Sequence, residues 1–157
     1  MTIALMILTS IYLVVVGIQD VKERKIYSFP CTLLSALWMI KISMEMWMPS
    51  YIYLIYFAVS LALYCVFTKK RIWGAGDSDL FFLFTVVFMS CTNSVISFRF
   101  LFVEILLFIV VLASALILGF LEANIRRMKL SKTSSIAVAP GFAIVIIAIM
   151  WRGVIGC

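Results

Sequence analysis

The chain has 157 residues, of which 66% are hydrophobic and 13% charged, whereas soluble domains run about 45–50% apolar and about 25% charged. That composition excludes an ordinary soluble enzyme and points to a single domain, residues 1–157, that lives in a lipid bilayer. The excess of thirteen Lys and Arg over seven Asp and Glu then reports orientation in a membrane before any nucleic-acid partner, and the absence of histidine removes Ser-His and Cys-His triads and HExxH metalloproteases.

A helix needs about 20 apolar residues to cross the hydrocarbon core. Six stretches approach that length, at about 2–19, 29–46, 50–68, 80–97, 100–121 and 136–155. The chain therefore reads as an all-α integral membrane protein with six transmembrane helices. The first stretch has no basic residue ahead of it and no small-residue cleavage site after it, unlike a cleaved signal peptide. In the second, Lys41 is expected to snorkel towards the interface. The fourth has a polar end at residues 90–94, and in the fifth Glu104 is expected to pair with Arg99. The sixth opens at Pro140-Gly141, proline being common in a first helical turn. Cys31, Cys65, Cys91 and Cys157 lie far apart with no CxxC pair, so they read as packing residues and no metal centre is expected.

The connections alternate in charge. Lys22, Arg24 and Lys25 fall in the first, Lys69, Lys70 and Arg71 in the third, and Arg126, Arg127, Lys129 and Lys132 in the fifth. Ten of the thirteen basic residues thus occupy the odd-numbered connections. By the positive-inside rule these face the cytoplasm and both termini face outward. Asp20, at the end of the first apolar stretch, and Asp77, at the start of the fourth, then share the cytoplasmic face.

Asp77 lies in Trp73-Gly74-Ala75-Gly76-Asp77-Ser78-Asp79, immediately before an apolar run. An ionisable group at a bilayer boundary is costly and is by default functional, with a partner nearby. Glycines at 74 and 76 allow a tight turn and close approach of another backbone; without a second acid the motif would read as a helix cap. Asp20 supplies that acid. It abuts the first apolar stretch, ahead of Val21-Lys22-Glu23-Arg24-Lys25-Ile26-Tyr27-Ser28-Phe29-Pro30. Two carboxyls on one membrane face can share a proton and activate water, as in an aspartic protease. A helix N-terminus at Asp77 and a helix C-terminus at Asp20 would favour the anion on the former and the neutral acid on the latter.

These residues carry a resemblance. The chain resembles the type IV prepilin and preflagellin peptidases, polytopic GxGD aspartic proteases. Gly74-Ala75-Gly76-Asp77 looks like their Gly-x-Gly-Asp motif, and Asp20 with Lys22, Arg24 and Ile26 looks like their first catalytic aspartate with its short basic stretch. Tyr27-Ser28 stands where Pro-Asn is commoner, and Asp79 where a lysine often follows the motif. The resemblance implies catalysis by Asp20 and Asp77 without cofactor or metal. It implies a pilin-like precursor as partner, with a short basic leader ahead of a hydrophobic helix, and contacts to that leader from Glu23 and Asp79. It also implies residence in a bacterial or archaeal cytoplasmic membrane, in service of a type IV pilus or type II secretion system. Larger members carry a cysteine-bearing insertion associated with N-methylation. The first connection here is short and lacks cysteine, so no methyltransferase activity is expected. The alternative is a non-catalytic polytopic membrane protein, a small transporter or an assembly subunit. A transporter would more often show broken helices near mid-membrane, and no such interruption is visible.

Overall fold

The computed structural model describes residues 2–45, 50–70, 74–92, 98–125 and 137–155. Over these the chain forms six helices: α1 (Thr2–Glu23), α2 (Ser28–Met44), α3 (Ser50–Lys69), α4 (Ala75–Thr92), α5 (Phe98–Ile125) and α6 (Ala139–Ile155). Four of them, α1, α3, α4 and α5, are long and apolar enough to cross a bilayer, and α2 and α6 are shorter apolar helices. The protein is an all-α membrane protein. Arg71, Trp73 and the basic residues Arg126, Arg127, Lys129 and Lys132, which carry part of the charge alternation, lie outside the described residues, as do Asn93 and Cys157.

Two helices outrun their apolar stretches in ways that matter for the acids. α1 continues to Glu23 and α4 begins at Ala75, so both Asp20 and Asp77 are helical residues and not loop residues beside a helix. The backbone hydrogen bonds that make a helix do not depend on apolar side chains, and Lys and Glu are themselves good helix formers. α1 stops at Arg24, whose φ of 55° is left-handed and whose N–H donates to the Asp20 carbonyl at 3.0 Å. This is the terminal hydrogen bond of an αL cap, a place usually given to glycine. A non-glycine residue there costs about 1–2 kcal/mol.

α4 is the axis of the bundle. Leu80, Leu83, Phe84, Val86 and Val87 are fully buried, and the helix packs against α2, α3 and α6, while α6 also packs on α1 and α5. Aromatic rings lock the neighbours on. Phe84 contacts Phe108 of α5 and Phe142 of α6, Phe88 meets Phe100 of α5 with centroids 4.8 Å apart, and Phe81 meets Phe67 of α3 edge-on. The outer surface is equally apolar: Ile3, Ile7, Ile11, Val14 and Ile18 of α1 are exposed at intervals of three or four residues, and so are Leu101, Ile105 and Ile109 of α5. On a soluble protein such patches would be interaction sites or liabilities; here they form the surface that lipid covers.

Two intramembrane charges are placed differently from the sequence expectation. Lys41 does not snorkel. It is 5% exposed, and its Nζ donates to Glu45 Oε2 at 2.6 Å and to Ser90 Oγ of α4 at 3.0 Å. A buried cation needs such partners because no water reaches it; the bond to Glu45 closes the end of α2, and the bond to Ser90 ties α2 to α4. Glu104, expected to pair with Arg99, instead accepts the Tyr56 hydroxyl of α3 at 2.6 Å.

Candidate active site

The site is built where the end of α1, the start of α4 and the start of α6 meet. Asp20 lies in the last turn of α1 and is 6% exposed. Its Oδ2 accepts the main-chain N–H of Ala139, the first residue of α6, at 3.1 Å. Helix N-termini leave such N–H groups without intrahelical partners. α1 and α6 are held together one turn deeper, where Gly17 faces Pro140.

On the other side, the sequence Gly74-Ala75-Gly76 makes the first turn of α4. Asp77 Oδ2 accepts the Gly74 N–H at 3.3 Å, and Ser78 returns its own N–H and hydroxyl to the Gly74 carbonyl at 3.1 and 3.2 Å. The Ser78 hydroxyl also accepts from Thr68 of α3 at 3.0 Å. Gly76 is required by crowding. A Cβ there would collide with the Ile26 side chain, lying 2.9 Å from its Cγ2 and 3.2 Å from its carbonyl oxygen. The absence of that Cβ lets the α1–α2 connection close over the start of α4.

The consequence is that the two carboxyls, 57 positions apart in sequence, lie near enough for the charge on Asp20 to act on Asp77. Asp77 is half-buried and Asp20 buried. Like charges brought together away from water resist double ionisation, which is the condition for one acid and one base in a pair. The dipole argument that separated their roles loses its basis, because Asp20 sits at the N-terminus of α6 as well as near the C-terminus of α1. Both carboxyls accept a main-chain N–H.

Arg24, beyond Asp20, makes an ion pair with Glu122 near the end of α5, Nη2 to Oε2 at 2.7 Å. The guanidinium charge and the Glu122 carboxylate both act on Asp20. Sequence reasoning passed over Glu122, yet it is an acid closing an apolar stretch, the same signal that singled out Asp20.

The remaining candidates fall elsewhere. Glu23 is exposed at the end of α1. Asp79 is two residues beyond Asp77 and so on nearly the opposite side of α4. Its charge acts on Tyr12, Cys31 and Tyr64, from α1, α2 and α3, and its Oδ2 is buried without a hydrogen-bond partner among the described residues. Asp79 therefore does not belong to the Asp20–Asp77 pair. Among the described residues no three His, Cys, Asp or Glu side chains cluster as metal ligands would. Cys31, Cys65 and Cys91 are free thiols.

What the fold and the site define together is a polytopic α-helical membrane protein with a pair of carboxyls at one end of its bundle. In comparison with known proteins, no family model, no curated protein and no solved structure matches the chain.

Proposed function

We propose that the protein is a membrane-embedded aspartic endopeptidase that removes the short basic leader of a type IV prepilin-like precursor at the cytoplasmic face of a prokaryotic cytoplasmic membrane. The observation that carries the reading is the placement of Asp20 and Asp77 at helix ends on the same end of the bundle, α1 ending and α4 beginning there, within reach of each other's charge. Peptide hydrolysis by two carboxyls needs one ionised, to take a proton from water, and one protonated, to polarise the scissile carbonyl. A pair carrying one proton between them meets both needs at once, and after attack the base returns its proton to the departing amine. The main-chain N–H groups of Ala139 and Gly74 each hold one carboxylate oxygen.

Position supports the choice of substrate. Both acids lie within a turn or two of a helix end, so the bond cut is one just before a transmembrane segment and not one in its middle. A leader of basic residues matches the exposed Glu23 at the same end of α1. Nothing in the reaction calls for a cofactor, and the short first connection carries no cysteine-bearing insertion of the kind associated with methylating the new terminus.

The test is processing of a candidate precursor co-expressed with the enzyme and followed by its gel shift. Asp20→Asn and Asp77→Asn should each lower cleavage by at least about 10²-fold, the usual contribution of a single acid or base, while membrane insertion is retained. Near-normal processing by either variant removes the pair from the mechanism.

A further inference from the structure

α1 and α5 both pack against α6, and between them the outer face of α6 is left open as a groove. One part of it, about 430 Å³, is walled by Val14, Gly17 and Ile18 of α1, Leu118 of α5, and Pro140 and Ile144 of α6. A second part, about 400 Å³, continues past Val21, Leu118 and Pro140 to Glu122 and Ala137. The parts share Val21, Leu118 and Pro140, so they form one channel along α6. Its walls are apolar, and small residues at Gly17, Gly119 and Ala143 leave room for close approach of another backbone.

Two features separate this groove from ordinary lipid-facing relief. It runs up to the candidate site: Val21 follows Asp20, and Pro140 follows Ala139, whose N–H holds the Asp20 carboxylate. Its far end is also crossed by the Arg24–Glu122 ion pair, joining the tip of α1 to the end of α5. A further groove between α1 and α2, about 280 Å³, has neither feature. It is lined by Ala4, Leu5, Leu8, Leu37 and Ile40, with no polar side chain, and suits acyl chains alone.

We infer that the groove between α1 and α5 receives the apolar helix of the precursor, laid against α6 with its leader end at the Arg24–Glu122 pair. The inference rests on the peptidase reading above. A helix seated there brings the peptide bond that precedes it alongside Asp20, because groove and acid share α1 and the start of α6. The leader then passes over the mouth, where the exposed Glu23 offers a carboxylate to its basic side chains. Lys22, which also lines the mouth, opposes such a leader, although its exposed, flexible stem can swing aside, and Arg24 is held back from the leader by its pairing with Glu122. Burying two apolar helix surfaces against each other in lipid brings no hydrophobic gain, so close packing along the groove must select the occupant.

Cross-linking tests this without requiring cleavage. A single cysteine is placed at Ile144 or Val14, both exposed groove-wall residues, or at Ile55, equally exposed on α3, in Asp77→Asn protein whose four native cysteines are replaced. A precursor with one cysteine in its apolar helix is co-expressed in each case. Disulfide capture at Ile144 and Val14 but not at Ile55 is expected; capture at none of them, or equally at all three, overturns the docking surface and leaves lipid as the occupant. Ile144→Trp in otherwise native protein should raise KM about 10-fold with kcat little changed, since it obstructs binding common to ground and transition states, while Ile55→Trp leaves both unchanged. An Ile144→Trp enzyme with the native KM also overturns the inference. Selective capture with no cleavage by the native enzyme would instead keep the groove and bring down the peptidase reading.

Discussion

Gly76 is the residue on which the geometry of the site turns, because the missing Cβ is what allows Ile26 to rest on the first turn of α4. Gly76→Ala should therefore push the α1–α2 connection away from α4. Overpacking of this kind costs typically about 1–3 kcal/mol, and here it also shifts Asp77, the next residue, relative to Asp20. Thermal unfolding in detergent should register the loss of stability, and precursor processing should fall with it. Shortening the opposing side chain in Gly76→Ala/Ile26→Ala should recover a large part of both. Failure of the double variant to recover either would mean that the glycine is needed for its backbone freedom and not for the space it leaves. The same reading explains why Asp79, so near Asp77 in sequence, has a different environment: two residues along a helix reverse the direction a side chain takes.

At the scale of elements, α4 holds the bundle together and α5 faces lipid along much of its length. Phe84 of α4 is fully buried between Phe88, Phe108 and Phe142, whereas Phe102 of α5 is 58% exposed. Lipid is as apolar as a protein core, so truncating a buried ring in a membrane loses little transfer energy and mainly leaves a void. At about 24 cal/mol per Å³, the roughly 100 Å³ between Phe and Ala amounts to about 2 kcal/mol. Phe84→Ala should lower the unfolding midpoint accordingly, and Phe102→Ala should change it little, because acyl chains fill the space. Equal effects of the two substitutions would show that α4 is not the packing axis. The buried Lys41 serves the same helix from the α2 side, since its bond to Ser90 joins the two helices at the end of the bundle away from Asp20.

For the whole molecule, the peptidase reading needs both acids on the cytoplasmic side. Cysteine-accessibility or reporter-fusion mapping should place Lys22, Lys70 and Lys129 inside and the neighbourhoods of Pro49 and Asn93 outside. Lys22 and Lys70 mapping to opposite sides would separate the connections that carry the two acids, and hydrolysis by the pair would be untenable. Orientation of this kind is set by the basic residues of short connections during insertion, so Lys→Gln changes concentrated in the first connection are the ones that should disturb it.

Much of this architecture was legible in the chain itself. Only helices or closed barrels satisfy every backbone group in lipid, and the length of an apolar run decides whether it can span, so counting apolar runs yields six helices in the right order. The cost of an acid at a bilayer boundary likewise singles out Asp20 and Asp77 before any coordinates are drawn. What lies around them was not legible. The N–H that holds Asp20 comes from Ala139, 119 positions away, and the ion pair beside it spans 98 positions from Arg24 to Glu122. The inward turn of Lys41 and the separation of Asp79 from the pair are equally absent from the linear pattern. In water, a polar stripe marks the outer face of a helix and predicts its neighbours. In lipid both the packed face and the outer face are apolar, so the sequence determines that these helices exist and where their charges fall, and only tertiary packing decides which faces meet.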